Sequence, residues 1–271
     1  MRLTKHQGLG NDFLVLLDLN GVHAISRDLA RAACDRHRGI GADGLLHVTA
    51  GAGAADVTMA LYNADGSRAE MSGNGVRCLG QAVLQAEIHS GPRLRVATDA
   101  GLRTLEIKPT EEADTHLVTV DMGPADDQGD APDWVGHGVV AAAWASMGNP
   151  HLVLYAPEPD QAPDVVEVGH IVNDRTAGGA NVEVIAVGPG TDEIVLEVYE
   201  RGVGPTLACG TGACAAAAVA HRWGLVDREV RVRMPGGTAY VTLTDDTILL
   251  GGPTTSIGLI EYPWPVRDRL A

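Results

Sequence analysis

Two stretches decide the reading of this chain: Glu70-Met71-Ser72-Gly73-Asn74-Gly75-Val76-Arg77-Cys78 and Leu207-Ala208-Cys209-Gly210-Thr211-Gly212-Ala213-Cys214. Each has a residue with a nucleophile-type side chain, then Gly-x-Gly with a polar x, then a run rich in Ala, Val and Leu. Ser72 and Cys209 hold equivalent places, 137 residues apart in a chain of 271. The spacing predicts a duplicated protein with a helix opening at each Gly-x-Gly. The first N–H groups of a helix lack intrahelical partners and sit at the positive end of its dipole. Glycines let an anion approach that backbone closely. A cysteine there would have its thiolate stabilised. If two such helix starts face each other, they form a small carboxylate-binding cleft with a reactive side chain on each wall. Inverting a carbon next to a carboxylate needs that geometry: one group removes a proton and another returns one to the opposite face. The helix N–H groups would stabilise the charge that develops.

Simpler readings stand beside this one. A lone Cys in an Ala-rich helix start is ordinarily a buried, inert residue, and Ser72 by itself is an ordinary helix N-cap. The repeat tips the balance toward function. Cys78 and Cys214 lie inside their helices and read as packing residues. Cys209 and Cys214 lack the paired spacing of a zinc site, so no metal is expected.

Outward from the motifs, the chain reads as short strands, turns and a few helices. Strands are expected at Asp12 to Leu19, Leu45 to Val48, Val57 to Tyr62, Leu117 to Asp121, Leu152 to Tyr155, Val182 to Val187 and Glu193 to Tyr199. Val57, Met59 and Leu61 should share one face. Helices are expected at Leu29 to His37 (capped by Ser26), Val76 to Ile88 and Ala213 to Trp223. The second should turn Val76, Leu79, Gly80 and Val83 to one side. Turns fall at Asn63 to Gly66, Asp99 to Gly101 and Pro235 to Gly237. The stretch from Pro124 to Gly136, rich in Asp, Gly and Pro, reads as a loop near the junction of the halves. Without a βαβα rhythm the fold class is α+β. Two similar domains are expected, residues 1–114 with 255–271 and residues 115–254.

Composition excludes several classes. Asp plus Glu number 35 against 20 Lys plus Arg, a formal charge of −15. Such a surface repels phosphate backbones, so nucleic acid is not an expected partner. No apolar run approaches the ~20 residues that span a bilayer, and the first residues do not resemble a secretory signal. Four cysteines with no Cys-x-x-Cys do not make a disulfide scaffold, which points to a reducing cytoplasm.

Read together, the motifs resemble the diaminopimelate epimerase family of pyridoxal-independent amino-acid epimerases. They are Gly8 to Phe13, Asp35 to Gly44, Tyr62 to Ser67, Met71 to Arg77, Gly148 to His151, Asn181 to Glu183, Tyr199 to Gly204 and Ala208 to Gly212, and they span nearly the whole chain in order. The resemblance implies two α/β domains, each a mixed or antiparallel sheet around a long central helix, facing across a cleft. It also implies interconversion of LL- and meso-diaminopimelate for lysine and peptidoglycan synthesis, no metal or organic cofactor, and a homodimer. Cys209 and Ser72 would stand at the catalytic positions. Substrate contacts would fall on Asn11, Asn63, Gly73, Asn74, Asn149, Asn181, Glu200, Arg201, Gly210 and Thr211. Arg201 can grip a distal carboxylate in a bidentate pair, and Glu200 and the asparagine carbonyls can take a distal ammonium. Taken alone, Asn63 and Asn149 read as turn residues, Glu200-Arg201 as a solvated strand end, and His151 as either a cleft-orienting or a structural histidine.

The chain departs from the family at one reacting position, where Ser72 replaces the first of two cysteines. An aliphatic hydroxyl is a far weaker acid than a thiol and a poor base without an activator. Three explanations stay open: an engineered Cys→Ser change, a natural Ser/Cys pair, or a relative with another substrate or no turnover. Rival functions are a racemase for proline, hydroxyproline or histidine, a phenazine-pathway-type isomerase, and a non-catalytic amino-acid-binding protein. Glu200-Arg201 disfavour proline, Cys209 disfavours the phenazine-type isomerase, and Ser72 is the feature that supports mere binding.

Overall fold

The structure is a computed structural model that describes residues 1–263. It forms two compact units. One runs from Met1 to Val118 and resumes at Pro253; the other runs from Thr119 to Gly252. Of the segment 255–271 expected to complete the first half, residues 264–271 lie outside the described residues.

The first unit holds strands β1 (Arg2–Gly8) and β2 (Asn11–Leu17), helix α1 (Arg27–Cys34), and strands β3 (Gly44–Ala50), β4 (Val57–Asn63) and β5 (Arg68–Ala69). Helix α2 (Gly73–Gln85) follows, then β6 (Arg93–Thr98), β7 (Gly101–Pro109) and the start of β8 (Thr115–Asp121). Within it β1 pairs antiparallel with β2, β2 parallel with β3, β3 antiparallel with β4, β4 parallel with β6, and β6 antiparallel with β7. Parallel neighbours need crossovers. Helix α1 makes the first and α2 the second.

The second unit repeats this order. It holds β9 (Asp126–Asp130), β10 (Ala141–Ser146), β11 (Pro150–Tyr155), α3 (Val165–Arg175), β12 (Asn181–Val187), β13 (Glu193–Glu200) and β14 (Gly204–Thr206). Then come α4 (Gly210–Arg222), β15 (Glu229–Met234), β16 (Gly237–Leu243) and most of the first half of β17 (Ile248–Glu261). From β10 to β16 the pairings run antiparallel, parallel, antiparallel, parallel, antiparallel, as in the first unit. The fold is α+β, mostly sheet, with a long central helix in each unit.

Helix α2 is buried along its whole length from Gly73 to Val83, not on one stripe as the spacing of Val76, Leu79, Gly80 and Val83 suggested. A helix surrounded by sheet must bury its polar residues as well, and those then need partners. Gln81 donates to the Asp114 carbonyl at 2.7 Å and accepts His6 Nδ1 at 2.9 Å. Arg77 is fully buried and donates to Asn74 Oδ1 at 2.6 Å and to the Gly73 carbonyl at 3.3 Å. Helix α4 solves the same problem with small side chains, burying Ala213 and Ala215 to Ala217 completely.

Several expectations agree with the structure. Val57, Met59 and Leu61 are buried on one face. Ser26 caps α1 by accepting from Leu29 N–H. The hairpins turn at Asp99-Ala100 and Pro235-Gly236. Others are corrected. Helix α1 ends at Cys34 and not at His37, because the Asp35 carboxylate accepts the His37 and Arg38 N–H groups and draws the chain into a turn. The stretch from Pro124 to Gly136 contains strand β9, whose backbone pairs with β10 although its side chains are polar and exposed. Strands β1 and β10 and helix α3 were not foreseen.

Candidate active site

Both repeated motifs are helix caps. Ser72 is the N-cap of α2 with φ −136° and ψ 124°, and its Oγ accepts the Gly75 N–H at 3.1 Å. Cys209 is the N-cap of α4 with φ −124° and ψ 117°, and its Sγ accepts the Gly212 N–H at 3.4 Å. The helices start at Gly73 and Gly210, three residues ahead of the apolar pattern that marks them in the sequence. Serine is a favoured cap; cysteine is not, since sulfur is a weak acceptor. Capping alone therefore accounts for Ser72 but leaves Cys209 unexplained.

Around Cys209 the second unit gathers titratable groups. Its Sγ lies 3.4 Å from Thr211 Oγ1, and the Glu200 carboxylate acts on it electrostatically. Burial, with the charges of Glu200 and Glu183 adding to it, pushes the thiol well above its ordinary pKa. The bonds from Thr211 and Gly212 act in the other direction. Burial also raises Glu200, opposed by its bonds to Thr206 and Cys209. Thr206 Oγ1 donates to Glu200 Oε1 at 2.6 Å. Contrary to the sequence expectation for a helix-start cysteine, the thiol is thus held protonated: two nearby carboxylates and lost hydration outweigh the helix dipole.

The other expected residues of this unit make hydrogen bonds of their own. Asn181 is buried, accepts the Arg201 N–H at 2.9 Å and donates to the Pro150 carbonyl at 3.3 Å. The exposed Arg201 guanidinium donates to the Gly178 carbonyl at 3.1 Å. Asn149 Oδ1 lies 3.1 Å from His151 Nε2, and His151 Nδ1 lies 2.7 Å from Glu183 Oε1. His151 and Glu183 are both fully buried. Glu183 and Thr206 were not assigned roles by the sequence. Glu183 left a signal, a charge in the apolar run Asn181–Val187, two residues from Asn181 and so on the same face.

In the first unit Asn74 Nδ2 donates to Asn11 Oδ1 at 3.3 Å, and Asn11 Nδ2 donates to Asp43 Oδ2 at 2.7 Å. Asp43 and Asp12 both receive the Arg36 guanidinium, and Lys5 lies 2.9 Å from Asp12. Burial works to raise Asp12, but the bonds from Arg36 and Lys5 prevail and hold it at about 2. This network fixes the Asp35–Gly44 loop beside Asn11. Asp43 and Arg77 stand within quoted motifs but were not assigned roles. Asn63 is exposed and donates to Ser67 Oγ at 3.0 Å, in the Asn63–Gly66 turn, with no hydrogen bond to Ser72, Asn74 or Asn11. No carboxylate, imidazole or amine of the described residues hydrogen-bonds to Ser72. Cys78 and Cys214 are fully buried, as packing residues should be, and burial pushes Cys78 up to about 12.

Solved structures share this fold. A phenazine biosynthesis protein of the PhzF family from Bacillus anthracis superposes with a TM-score of 0.73 at 16% identity, covering 97% of this chain and 99% of its own. A hydroxyproline epimerase from Agrobacterium vitis superposes with a TM-score of 0.69 at 17% identity, covering 96% and 90%. Sequence relatives reach further. A diaminopimelate epimerase from Synechococcus elongatus is 35% identical, covering 95% of this chain and 96% of its own, and one from Microcystis aeruginosa is 38% identical, covering 96% and 98%. The relatives define an enzyme of the isomerase class. The family profile described as "Diaminopimelate epimerase" matches residues 3–127 and 143–255. The chain belongs to the diaminopimelate epimerase family.

Proposed function

We propose that this chain interconverts LL- and meso-diaminopimelate in lysine and peptidoglycan precursor synthesis, by two-base proton transfer at the α-carbon with Cys209 and Ser72 at the catalytic positions. The observation that carries the mechanism is the matched pair of caps. Residues 72 and 209 each stand at the start of a 13-residue helix, in the same backbone conformation. Helix-start N–H groups follow each of them, at Gly73-Asn74 and Gly210-Thr211, at the positive end of the helix dipole, and suit the carboxylate at the reacting carbon. On the Cys209 side the thiol donates a proton to the α-carbanion. In the reverse direction the Glu200 carboxylate, whose charge acts on Cys209, takes the thiol proton, and the thiolate removes the α-proton. Its high pKa makes that thiolate a strong base. Arg201 offers its charge to the distal carboxylate and Glu200 an acceptor oxygen to the distal ammonium, with Asn11, Asn63, Asn149 and Asn181 as amide contacts.

Ser72 makes the two faces unequal. Its hydroxyl can donate a proton, but it has no hydrogen-bonded base to help it accept one. The isomer whose α-C–H faces Cys209 should exchange its proton readily, and the other should be slowed by about 10²–10⁴-fold. The enzyme works without metal or organic cofactor, in the cytoplasm, as a homodimer, and without nucleic-acid or membrane partners. The four free cysteines, all buried, suit a reducing compartment. No helix among the described residues is long and apolar enough to cross a membrane, and no cluster of described residues could hold a metal.

The test is proton NMR in D₂O with each isomer supplied separately. Loss of the α-proton from one isomer, with slow appearance of the other, is the expected result. Rapid, equal exchange from both would make Ser72 a full partner. Binding with no exchange from either would remove the epimerase reading.

A further inference from the structure

We infer that Asn173 is a positioning residue for Arg201: it holds the turn after α3 so that the guanidinium is already ordered when a substrate's distal carboxylate arrives. The inference rests on the proposed reading of Arg201 as the grip on that carboxylate. Arg201 is exposed, and its guanidinium donates to a backbone carbonyl. No carboxylate of the described residues pairs with it, although the chain carries 35 Asp plus Glu against 20 Lys plus Arg. Its charge is therefore left for a ligand. A long exposed side chain is ordinarily mobile, and ordering it on binding costs affinity.

The segment 178–181 removes that mobility. The Arg201 N–H donates to Asn181 Oδ1 at 2.9 Å, and Nη1 donates to the Gly178 carbonyl at 3.1 Å. Between these two ties the side-chain stem crosses Gly179, where a Cβ would come to 3.1 Å from both Cγ and Cδ of Arg201. The segment is in turn clamped by Asn173, from the last turn of α3. Its Nδ2 donates to the Ala180 carbonyl at 3.0 Å, and its Oδ1 accepts the Ala180 N–H at 3.2 Å. Nδ2 also donates to the Gly169 carbonyl at 2.8 Å. Backbone carbonyls only accept and backbone N–H groups only donate, so the amide has one orientation and no titration enters.

The clamp is not needed to end the helix. Thr176 N–H already reaches the Val172 carbonyl, and Gly179 N–H the Thr176 carbonyl. Gly178 and Gly179 take φ of 81° and 70°, a left-handed pair that turns the chain back toward Asn173. Helix α3 is itself seated on the strand that leads to Arg201. A Cβ at Gly169 would lie 2.2 Å from the Tyr199 ring of β13, so helix backbone and ring are in direct contact. The contacts close on themselves, from β13 through α3, Asn173 and Ala180 to Gly178 and back to Arg201. A grip held at a fixed place also fixes the reach at which a second carboxylate is accepted.

Asn173→Ala should raise KM for α-proton exchange from the faster-exchanging isomer of diaminopimelate about 5–10-fold, the cost of ordering one long side chain, and leave kcat within about 2-fold. In an Arg201→Ala background the same substitution should change kcat/KM by less than about 2-fold, because the two act in series. A lower kcat at unchanged KM, or effects that multiply independently, would overturn the inference and leave Asn173 as a structural residue. NMR of the wild-type protein gives an arm that needs no variant. Without substrate, nuclear Overhauser contacts should join the Gly179 Hα protons to the Arg201 side chain. Their absence would overturn the inference even if Asn173→Ala fails to fold. An unchanged KM in Arg201→Ala alone would remove the reading of Arg201 beneath it. A KM raised by Arg201→Ala but not by Asn173→Ala would remove the positioning role only.

Discussion

Helices α2 and α4 start alike and rest on different chemistry. Each is 13 residues long, each is capped by a proposed reacting position, and each cap accepts the N–H three residues on. Beneath α2 lies the Phe13 ring, against which a Cβ at Gly75 would come to 3.3 Å. Beneath α4 lies the Glu183 carboxylate, whose Oε1 would be 2.6 Å from a Cβ at Gly212. One helix start is backed by hydrocarbon and the other by a carboxyl group hydrogen-bonded to an imidazole. Duplication copied the backbone device; the buried neighbours then set what each copy can do. The Ser72 copy is a good cap with no base at hand. The Cys209 copy is a poor cap surrounded by proton acceptors.

The largest expected effect tests whether the halves are unequal. Cys209→Ala should lower α-proton exchange by about 10⁴-fold, the upper end of general acid/base contributions. Ser72→Ala should leave exchange from the isomer facing Cys209 within about 3-fold. Equal losses, read by the same NMR assay, would erase the distinction. Next, Ser72→Cys should speed interconversion of the isomers by about 10²-fold by giving the first half a thiol. No gain would mean that residue 72 does not face the reacting carbon.

Stability offers smaller effects. Gly212→Ala must displace a carboxylate already held by His151, and should cost about 2 kcal/mol in urea unfolding. Gly75→Ala meets Ser72 Cβ at 3.2 Å and the Phe13 ring at 3.3 Å. There the gain in helix propensity, up to about 1 kcal/mol, should offset most of the crowding. Equal costs would show that the two supports are equally rigid.

Acid titration separates the halves by sign. Asp12 is held at about 2, below an ordinary carboxylate. Its stabilisation is complete above the unfolded value near 4 and lost as pH falls toward 2, on the order of 2 kcal/mol. Glu200 is raised, so the folded state binds its proton more readily and gains stability as pH falls through that higher value. Asp12→Asn should flatten the acid limb of a stability–pH curve, and Glu200→Gln should steepen it. The same response from both would break the assignment.

Much was legible in the chain. The repeat located both helix starts, the turn residues located the hairpins, and the residue types Asn11, Asn149, Asn181, Glu200 and Arg201 were readable one by one. Strand β9 was hidden, because backbone pairing with β10 does not need apolar side chains. Strands β1 and β10 and helix α3 lack strong periodic patterns of their own. The expected low pKa of Cys209 was wrong in direction, because a helix start is visible in sequence and desolvation is not.

What the sequence by itself determined is local: a cap residue, two glycines and a helix former suffice to open a helix, and two copies of them imply two halves. Tertiary structure decided which residues lie under each start. His151 and Glu183 are 32 residues apart and meet only because β11 and β12 pair in parallel register. Phe13 and Leu46 take the same ladder positions in the other unit. The protonation of a thiol depends on lost water and on nearby charges, and those are set by strands distant in the chain.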